Sequence, residues 1–393
     1  MSILTNDQYI AVSKLEKWYH KYNHQIIEID AVVGTGIWDV IQKFIDNEGF
    51  DPREIMYLDY NQTHVLELAA KKYHAYYING IIYNYNRIVD FNSIPVINPQ
   101  SSVLEYEWKK EVKKKIDKRY KLIVVFDSVL LNEQTLNDLS SFGLPIILLR
   151  DPMLLPAPDS YTFLHDANIK LNEPHPVYIR NPITFFAHKI IHNEKLIPGS
   201  YDNVTIVPHK QMNLYNLKSS DMNITMSNDL RNDINNVYRE NVLKYKDSIN
   251  RVNERMIVTK DMYGHKITNK DEKKIKVYLR KGVVGHITSI YKHTEVTRFV
   301  PIEFRSEFYH EVFDDLVLDR YSVNNIEYKS KQMIPDEYIQ MEYAYALTPS
   351  LARLSHWDKV TLIMDNIDVD PEIQKRMIYT AITRANRSLT IVI

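Results

Sequence analysis

Residues 26–40, IIEIDAVVGTGIWDV, set a hydrophobic strand before a tight Gly34-Thr35-Gly36 turn and a helix. This is the layout of the G-x-x-x-x-G-K-[ST] loop. In that loop backbone N–H groups cradle phosphates, the lysine reaches the β- and γ-phosphates and the hydroxyl holds Mg²⁺. Here Ile37 stands in the lysine position, Trp38 in the hydroxyl position and Ala31 in place of the first glycine. A charge, a metal ligand and a close-approach glycine are missing together. The turn still offers backbone N–H groups and the positive end of a helix dipole to an anion. Trp38 opposes that use, because an indole at the second helical position either packs under the loop or fills the phosphate pocket. Packing is the expected outcome.

Other residues with chemical potential follow in order. LTNDQYIAV carries Gln8, KLIVVFDSVLL carries Asp127 followed by Ser128, and LLRDPMLLPAP carries Asp151 and Leu154. SNDLRNDINNVYRE spaces Asn228, Arg231, Asn235 and Arg239, and YTAITRANRSLTIVI carries Arg384. From end to end these segments resemble a superfamily 1 DNA helicase of the RecD or Dda-like type. The resemblance implies that Gln8 stands where adenine is read and Asp127 where the Walker B aspartate is. It puts Ser128 in place of the glutamate that orients water, and Leu154 in place of the γ-phosphate-sensing glutamine. In LNEPHPVYIR, Pro176 replaces an arginine, for which Arg180 could substitute only by a register shift. EYAYALTPSLARLSHWDKVTLI keeps Tyr345, Ala346, Thr348, Ser355, Trp357, Asp358 and Val360 of the corresponding motif, but its middle, including Ser350, Leu351, Arg353, Leu354 and His356, is rewritten.

Phosphoryl transfer needs a lysine and Mg²⁺ to neutralise charge, a carboxylate to orient water and an arginine to stabilise the transition state. With several of these parts lost at once, the expectation is a phage-encoded pseudo-helicase whose binding of ATP and Mg²⁺ is lost or very weak. Gln8 and Arg384 then remain as hydrogen-bonding groups that hold two lobes together. Single-stranded DNA is the expected partner, and the resemblance assigns Thr63, His64 and Thr348 to strand contact. A protein partner in a replication or recombination complex accompanies this reading. The alternative is a protein-interaction scaffold, structural subunit or inhibitor without DNA binding, with an exposed apolar patch over Ile37, Trp38 and Leu154. A third reading is a weak ATPase with a displaced lysine.

The elements that must position these residues read as α/β. Apolar strands at 26–32, 55–58, 122–126 and 146–149 alternate with amphipathic stretches at 64–72 and 133–141, which argues a parallel sheet covered by helices. The expected architecture is two RecA-like, P-loop NTPase-like parallel-sheet lobes, residues 1–165 and 166–393. The resemblance adds a small β wedge insert at about 73–100 and an SH3-like β insert at about 255–340. The basic run WKKEVKKKIDKRYK, 108–121, reads as the wet face of a helix with Val112 and Ile116 inward, or else as a phosphate-binding patch.

At 393 residues the chain exceeds one domain, and it has no cysteine for a disulfide framework or thiolate zinc site. No leader pattern or long apolar run is evident, so a cytoplasmic location (host cytoplasm if phage-encoded) and no membrane contact are expected. A net charge of −1 gives no global pull toward nucleic acid, so any strand must be held by a local groove. The 28 tyrosines fit the residue usage of an A/T-rich genome. His20 and His24, at i, i+4, read as a surface pair, since no H-E-x-x-H glutamate lies between them.

Overall fold

The computed structural model describes residues 4–21, 26–88, 107–158, 160, 166–245, 251–260, 266–268, 274–276, 279–291, 299–307, 312–323 and 338–393. It divides into two compact units. One is 1–82, 113–231 and 347–393; the other is 83–112 and 232–346.

The first unit opens with α1 (Asn6–Tyr19), β1 (Ile26–Ala31), α2 (Ile37–Glu48), β2 (Ile55–Asp59), α3 (Gln62–Ala70), β3 (Ala75–Tyr77) and α4 (Ile78–Ile82). The chain then makes the antiparallel ribbon of β4 (Tyr83–Ile88) and β5 (Glu107–Val112), which belongs to the second unit. Back in the first unit come β6 (Leu122–Val125), α5 (Glu133–Ser140), β7 (Ile146–Arg150) and β8 (Ile169–Leu171). Strand order is β3-β2-β6-β7-β1-β8, and every neighbouring pair is parallel. The runs IMYLD, LIVV and IILLR are buried at every position, as strands covered on both faces must be. Helix α2 drives Val40, Ile41 and Phe44 into this core, beside Ala11 and Leu15 of α1. β1 carries Glu28 and Asp30 into the interior, and Arg150, in register with Asp30 on β7, pairs with the Asp30 carboxylate at 2.5 Å.

A second sheet begins after α6 (Pro182–Ile191) with β9 (Gly199–Tyr201), β10 (Val204–Val207), α7 (Leu214–Ser219), β11 (Met222–Thr225) and α8 (Asn228–Val237). The chain then enters the second unit through β12 (Arg255–Val258), β13 (Lys266–Thr268), β14 (Lys274–Lys276), β15 (Val284–Ile290), β16 (Phe299–Ser306), β17 (Val312–Asp319), α9 (Arg320–Val323), β18 (Tyr338–Ile339) and β19 (Met341–Tyr343). It returns by β20 (Ala346–Leu347), α10 (Pro349–Ala352), β21 (Trp357–Ile363), α11 (Pro371–Ile382) and β22 (Ala385–Val392). The second sheet has the order β20-β11-β21-β22-β10-β9, parallel from β11 through β10 and antiparallel only at β9. Two largely parallel sheets clad by helices make the α/β, RecA-like pair of lobes that the helicase resemblance implies, the first from the apolar strands read in the sequence.

Within the second unit β12 to β17 form a meandering sheet over a core that includes Met256, Ile287, Ile302, Phe304, Phe313 and Leu316. Asn235 meets its full bonding capacity there. Its Oδ1 accepts from the Tyr345 and Ala346 N–H groups at 3.0 and 2.8 Å, and its Nδ2 donates to the Tyr343 and Ala346 carbonyls at 3.2 Å each. Arg239 pairs with the buried Glu254 at 2.7 Å. The motif that spaces these residues therefore does structural work in its second half.

The sequence expectation fails for the basic run at 108–121. Residues 107–112 are strand β5, Val112 is exposed, and 113–121 is a loop. A short isolated helix is marginal in water, and cross-strand pairing with β4 supplies the backbone bonds instead. The expected wedge segment contributes β3 and α4 to the first unit before β4 begins, and its residues from 89 onward lie outside the described residues. His24 also lies outside them; His20 sits 3.0 Å from Glu48.

Replacing Asn235 by Leu leaves two amides and two carbonyls without partners, at a cost of about 1–3 kcal/mol per unpaired group. Hydrogen exchange over residues 343–346 is expected to accelerate by at least about tenfold; unchanged protection would show that the amide is dispensable.

Candidate functional site

The loop after β1 is held from all sides by side chains of its own unit. Gln8 donates from Nε2 to the Thr35 carbonyl at 2.7 Å and accepts the Thr5 N–H on Oε1 at 2.8 Å. Thr35, buried, turns its hydroxyl back onto the Val32 carbonyl at 2.8 Å. From the second-sheet side, His188 on α6 bonds through Nε2 to the Val33 carbonyl at 2.7 Å. The His175 N–H donates to the Gly34 carbonyl at 2.8 Å, and Tyr379 on α11 accepts the Val33 N–H at 2.9 Å. Tyr178 donates to Asp39 in the first turn of α2 at 2.9 Å. Gly34 and Gly36 both have positive φ, 84° and 72°. A Cβ on Gly34 would lie 2.5 Å from Thr184 Cγ2, and one on Gly36 would strike the Gln8 amide with the Tyr178 ring 3.1 Å away. Thr184 and His188 thus pack against Gly34 and Tyr178 against Gly36, while the Val33 N–H is taken by Tyr379.

Ile37 and Trp38 both pack on the first core. The Trp38 ring lies 5.2–5.9 Å from Tyr57, Tyr73 and Phe126, so it lies behind the loop as expected. Leu154 is 5 % exposed. Of the apolar patch expected over Ile37, Trp38 and Leu154, Leu154 is buried, and Ile37 and Trp38 are half-buried against the first core.

The division of labour expected for Gln8 and Arg384 also changes. Gln8 bonds within the first lobe. Arg384 donates to the Thr380 carbonyl, the Arg353 carbonyl and the Thr383 hydroxyl, all in the second. Groups that sequence reasoning passed over make the crossings. The Tyr379 hydroxyl donates to Asp151 at 2.5 Å, and the Leu155 N–H donates to the Thr380 hydroxyl at 2.8 Å. Arg353 reaches the Pro156 carbonyl at 2.6 Å, and Asn61 meets His356 at 2.8 Å. Tyr379 stands within the matched motif YTAITRANR, so its position was visible even though its role was not. Arg353 and His356 are two of the rewritten positions.

A cavity of about 310 Å³ lies beside these crossings, lined by His64, Glu67, Phe126, Asp127, His356, Arg384 and Asn386. It brings together His64, Asp127 and Arg384 of the sequence candidates. Burial, with the nearby Asp59 carboxylate, pushes the Asp127 carboxyl up to about 6 against the pull of Arg384 and His64. Burial pushes Asp151 up to about 7, with the Tyr379 hydroxyl and the Met153 N–H opposing. Burial also works against a charged His64, but its 2.7 Å bond to Asp59 together with the charges of Asp59, Asp127 and Glu67 raises it. His356 is driven well below the ordinary histidine range by burial and by the neighbouring Arg384 and His64 charges. A neutral ring suits the bond it shares with Asn61. The cavity lining thus sets the Asp127 and Glu67 carboxyls beside His64 and Arg384.

The remaining candidates lie elsewhere. Ser128 is buried, and its hydroxyl has no hydrogen-bond partner among the described residues. Arg231 is buried on α8, Thr63 is half-buried on α3, and Thr348 is buried at the start of α10. None of these lines the cavity, and Arg180 is exposed. Among the described residues no cluster of histidine and carboxylate side chains has metal-binding geometry.

No protein-family model matches the chain, and no curated protein matches it. Among solved structures it is similar to Pif1 helicases. One, from a study of unwinding at forked duplex DNA by two coordinating Pif1 helicases, shares 9 % identity at a TM-score of 0.48, covering 99 % of this chain and 92 % of that one. Pif1 from Bacteroides, in complex with ADP-AlF3 and single-stranded DNA, shares 12 % identity at 0.44, covering 100 % and 92 %. Pif1 from Candida albicans shares 11 % at 0.43, covering 100 % and 94 %. The sheet topology carries the assignment of the fold.

Two outcomes follow from the geometry. Folded Asp151 holds its proton up to about pH 7, whereas the unfolded carboxyl loses it near 3.8, so stability should fall as pH rises through that window. The drop in thermal midpoint between pH 5 and pH 8 should therefore shrink in Asp151→Asn; an equal drop in both proteins would contradict the assignment. Gly34→Ala should lower the midpoint by several degrees, and Thr184→Ser added to it should recover part of the loss. A simple sum of the two single effects would exclude the steric contact.

Proposed function

We propose that this chain is a helicase-fold protein that has given up ATP turnover and serves as a nucleic-acid-associated accessory factor in replication or recombination. The carrying observation is the set of contacts that Thr184, His188 and Tyr379 make with Val33 and Gly34, and Tyr178 with Gly36 and Asp39. An enzyme of this class must open and close its two lobes around a triphosphate. The reading is supported by Ile37 and Trp38 in the lysine and hydroxyl positions, by the bond of Tyr379 to the Val33 N–H, and by hydrogen bonds that span the lobes.

Nucleic acid enters the reading through the resemblance of the motifs. Of the three expected strand contacts, His64 faces the cavity, whereas Thr63 is half-buried and Thr348 buried. The strand is thus held without nucleotide control, and chiefly by charge.

Fluorescence anisotropy of a labelled single-stranded oligonucleotide should report binding that weakens steeply with salt and ignores ATP and Mg²⁺. Binding that responds to ATP would sink the inactive-site reading. No binding at low salt, together with capture of a protein, would favour a scaffold. The double change Ile37→Lys and Trp38→Thr is expected to leave ATP hydrolysis undetectable, since Ser128 and Leu154 remain and the loop stays covered. Turnover in that variant would show a site needing only its lysine and hydroxyl.

A further inference from the structure

The loop 113–121 begins at α4, where Lys113 donates from its backbone N–H to the Ile82 carbonyl and from Nζ to the Gly80 carbonyl, and ends at the start of β6. Tyr120 anchors its far end. Its hydroxyl meets His74 Nδ1 at 3.1 Å and the Tyr76 hydroxyl at 2.8 Å, and Lys121 N–H donates to the Glu54 carbonyl. These bonds draw the loop beside the segment Lys71–His74 that leads into β3, the edge strand of the first sheet.

Two basic segments distant in sequence therefore share one rim. The carboxylates along it are spent: Asp51 on Arg53 at 2.6 Å, Asp117 on Arg119 at 2.5 Å and Glu54 on Lys121 at 2.6 Å. Lys71, Lys72, Lys114, Lys115 and Lys118 are exposed, with no ion-pair partner among the described residues. The N-terminal ends of β2, β3 and β6 lie here, and these strands run parallel to β1, whose C-terminal end feeds the Val32–Gly36 loop. The rim thus runs from α4 to the N-terminal end of the sheet, where Lys71, Lys72 and Lys118 stand away from the Val32–Gly36 loop and the cavity.

We infer that this rim holds the phosphate backbone of a nucleic acid. The inference rests on the proposed nucleic-acid role and moves the main contact from the cleft to the sheet edge. Its chemistry is read from what the rim offers. Lysines are present in a row, while the aromatic rings among them, Tyr73, His74, Tyr76 and Tyr120, are buried or half-buried and so not free to stack on bases. Such a surface reads charge and not sequence, so a duplex should be held at least as well as a single strand, its phosphates being more densely spaced.

The test is anisotropy titration of the full chain with a 30-mer, single-stranded and duplex, over a salt series, comparing the parent with Lys114→Gln, Lys115→Gln, Lys118→Gln combined. Neutralising three phosphate contacts should reduce the slope of log affinity on log salt by about 2, with at least a tenfold loss at low salt. A parent that binds with a slope the triple variant shares would overturn the rim and leave the nucleic-acid reading standing. A parent that binds neither probe would overturn both. Phosphatidylserine vesicles serve as the competing polyanion: if they are bound in preference to the oligonucleotides, the surface is for lipid and the inference fails.

Discussion

The Tyr379 hydroxyl is the point on which the first unit turns. It accepts from the Val33 N–H at the end of β1 and donates to Asp151 just past the end of β7, while its ring belongs to α11 of the other lobe. One oxygen thus ties together a loop, a strand end and a helix, and burial on all sides raises the cost of leaving any of the three unpaired. Burial and the Asp151 carboxylate drive Tyr379 well above the ordinary tyrosine range, so it stays a neutral donor. In a nucleotide-driven machine the corresponding region must exchange partners with every cycle. Here the partners of the Tyr379 hydroxyl are protein groups.

The sheets were legible because a strand buried on both faces can hardly be written otherwise than IMYLD, LIVV or IILLR, and the glycine turn between strand and helix could be located to the residue. The residue types at Ile37 and Trp38 are plain in the sequence. The groups that pack on the glycine turn are not. Tyr178, Thr184 and His188 approach the loop from more than a hundred positions away in sequence, and no local period or spacing encodes that approach. The basic run 108–121 misled for a related reason: its composition suits a helix, but register with β4 decided its first part and the Tyr120 hydrogen bonds its last.

Gln8 and Arg384 illustrate how a position can be kept while its use changes. Both were expected to bridge the lobes, and both instead finish hydrogen-bonding within their own lobe. Gln8 closes the turn it sits under, and Arg384 gathers the carbonyls and hydroxyl around the end of α11. A polar side chain in an interior must find partners or cost the fold several kcal/mol. For Gln8 and Arg384 those partners come mainly from nearby backbone, which makes either residue hard to lose for a structural reason.

The insertion of 232–346 into the second sheet has a bearing on how the chain assembles. β10 and β11 emerge early, but the strands that join them, β21 and β22, lie beyond the insert, and β22 stands between β21 and β10. During synthesis the first sheet can close as soon as β8 leaves the ribosome, and the inserted unit can condense next, while the second sheet must wait for the C-terminal strand. Tyr379 and Arg353 arrive with that last segment. The bonds of Val33, Asp151 and Pro156 to Tyr379 and Arg353 are therefore among the last that the first lobe gains, after Tyr178, Thr184 and His188 have already been made.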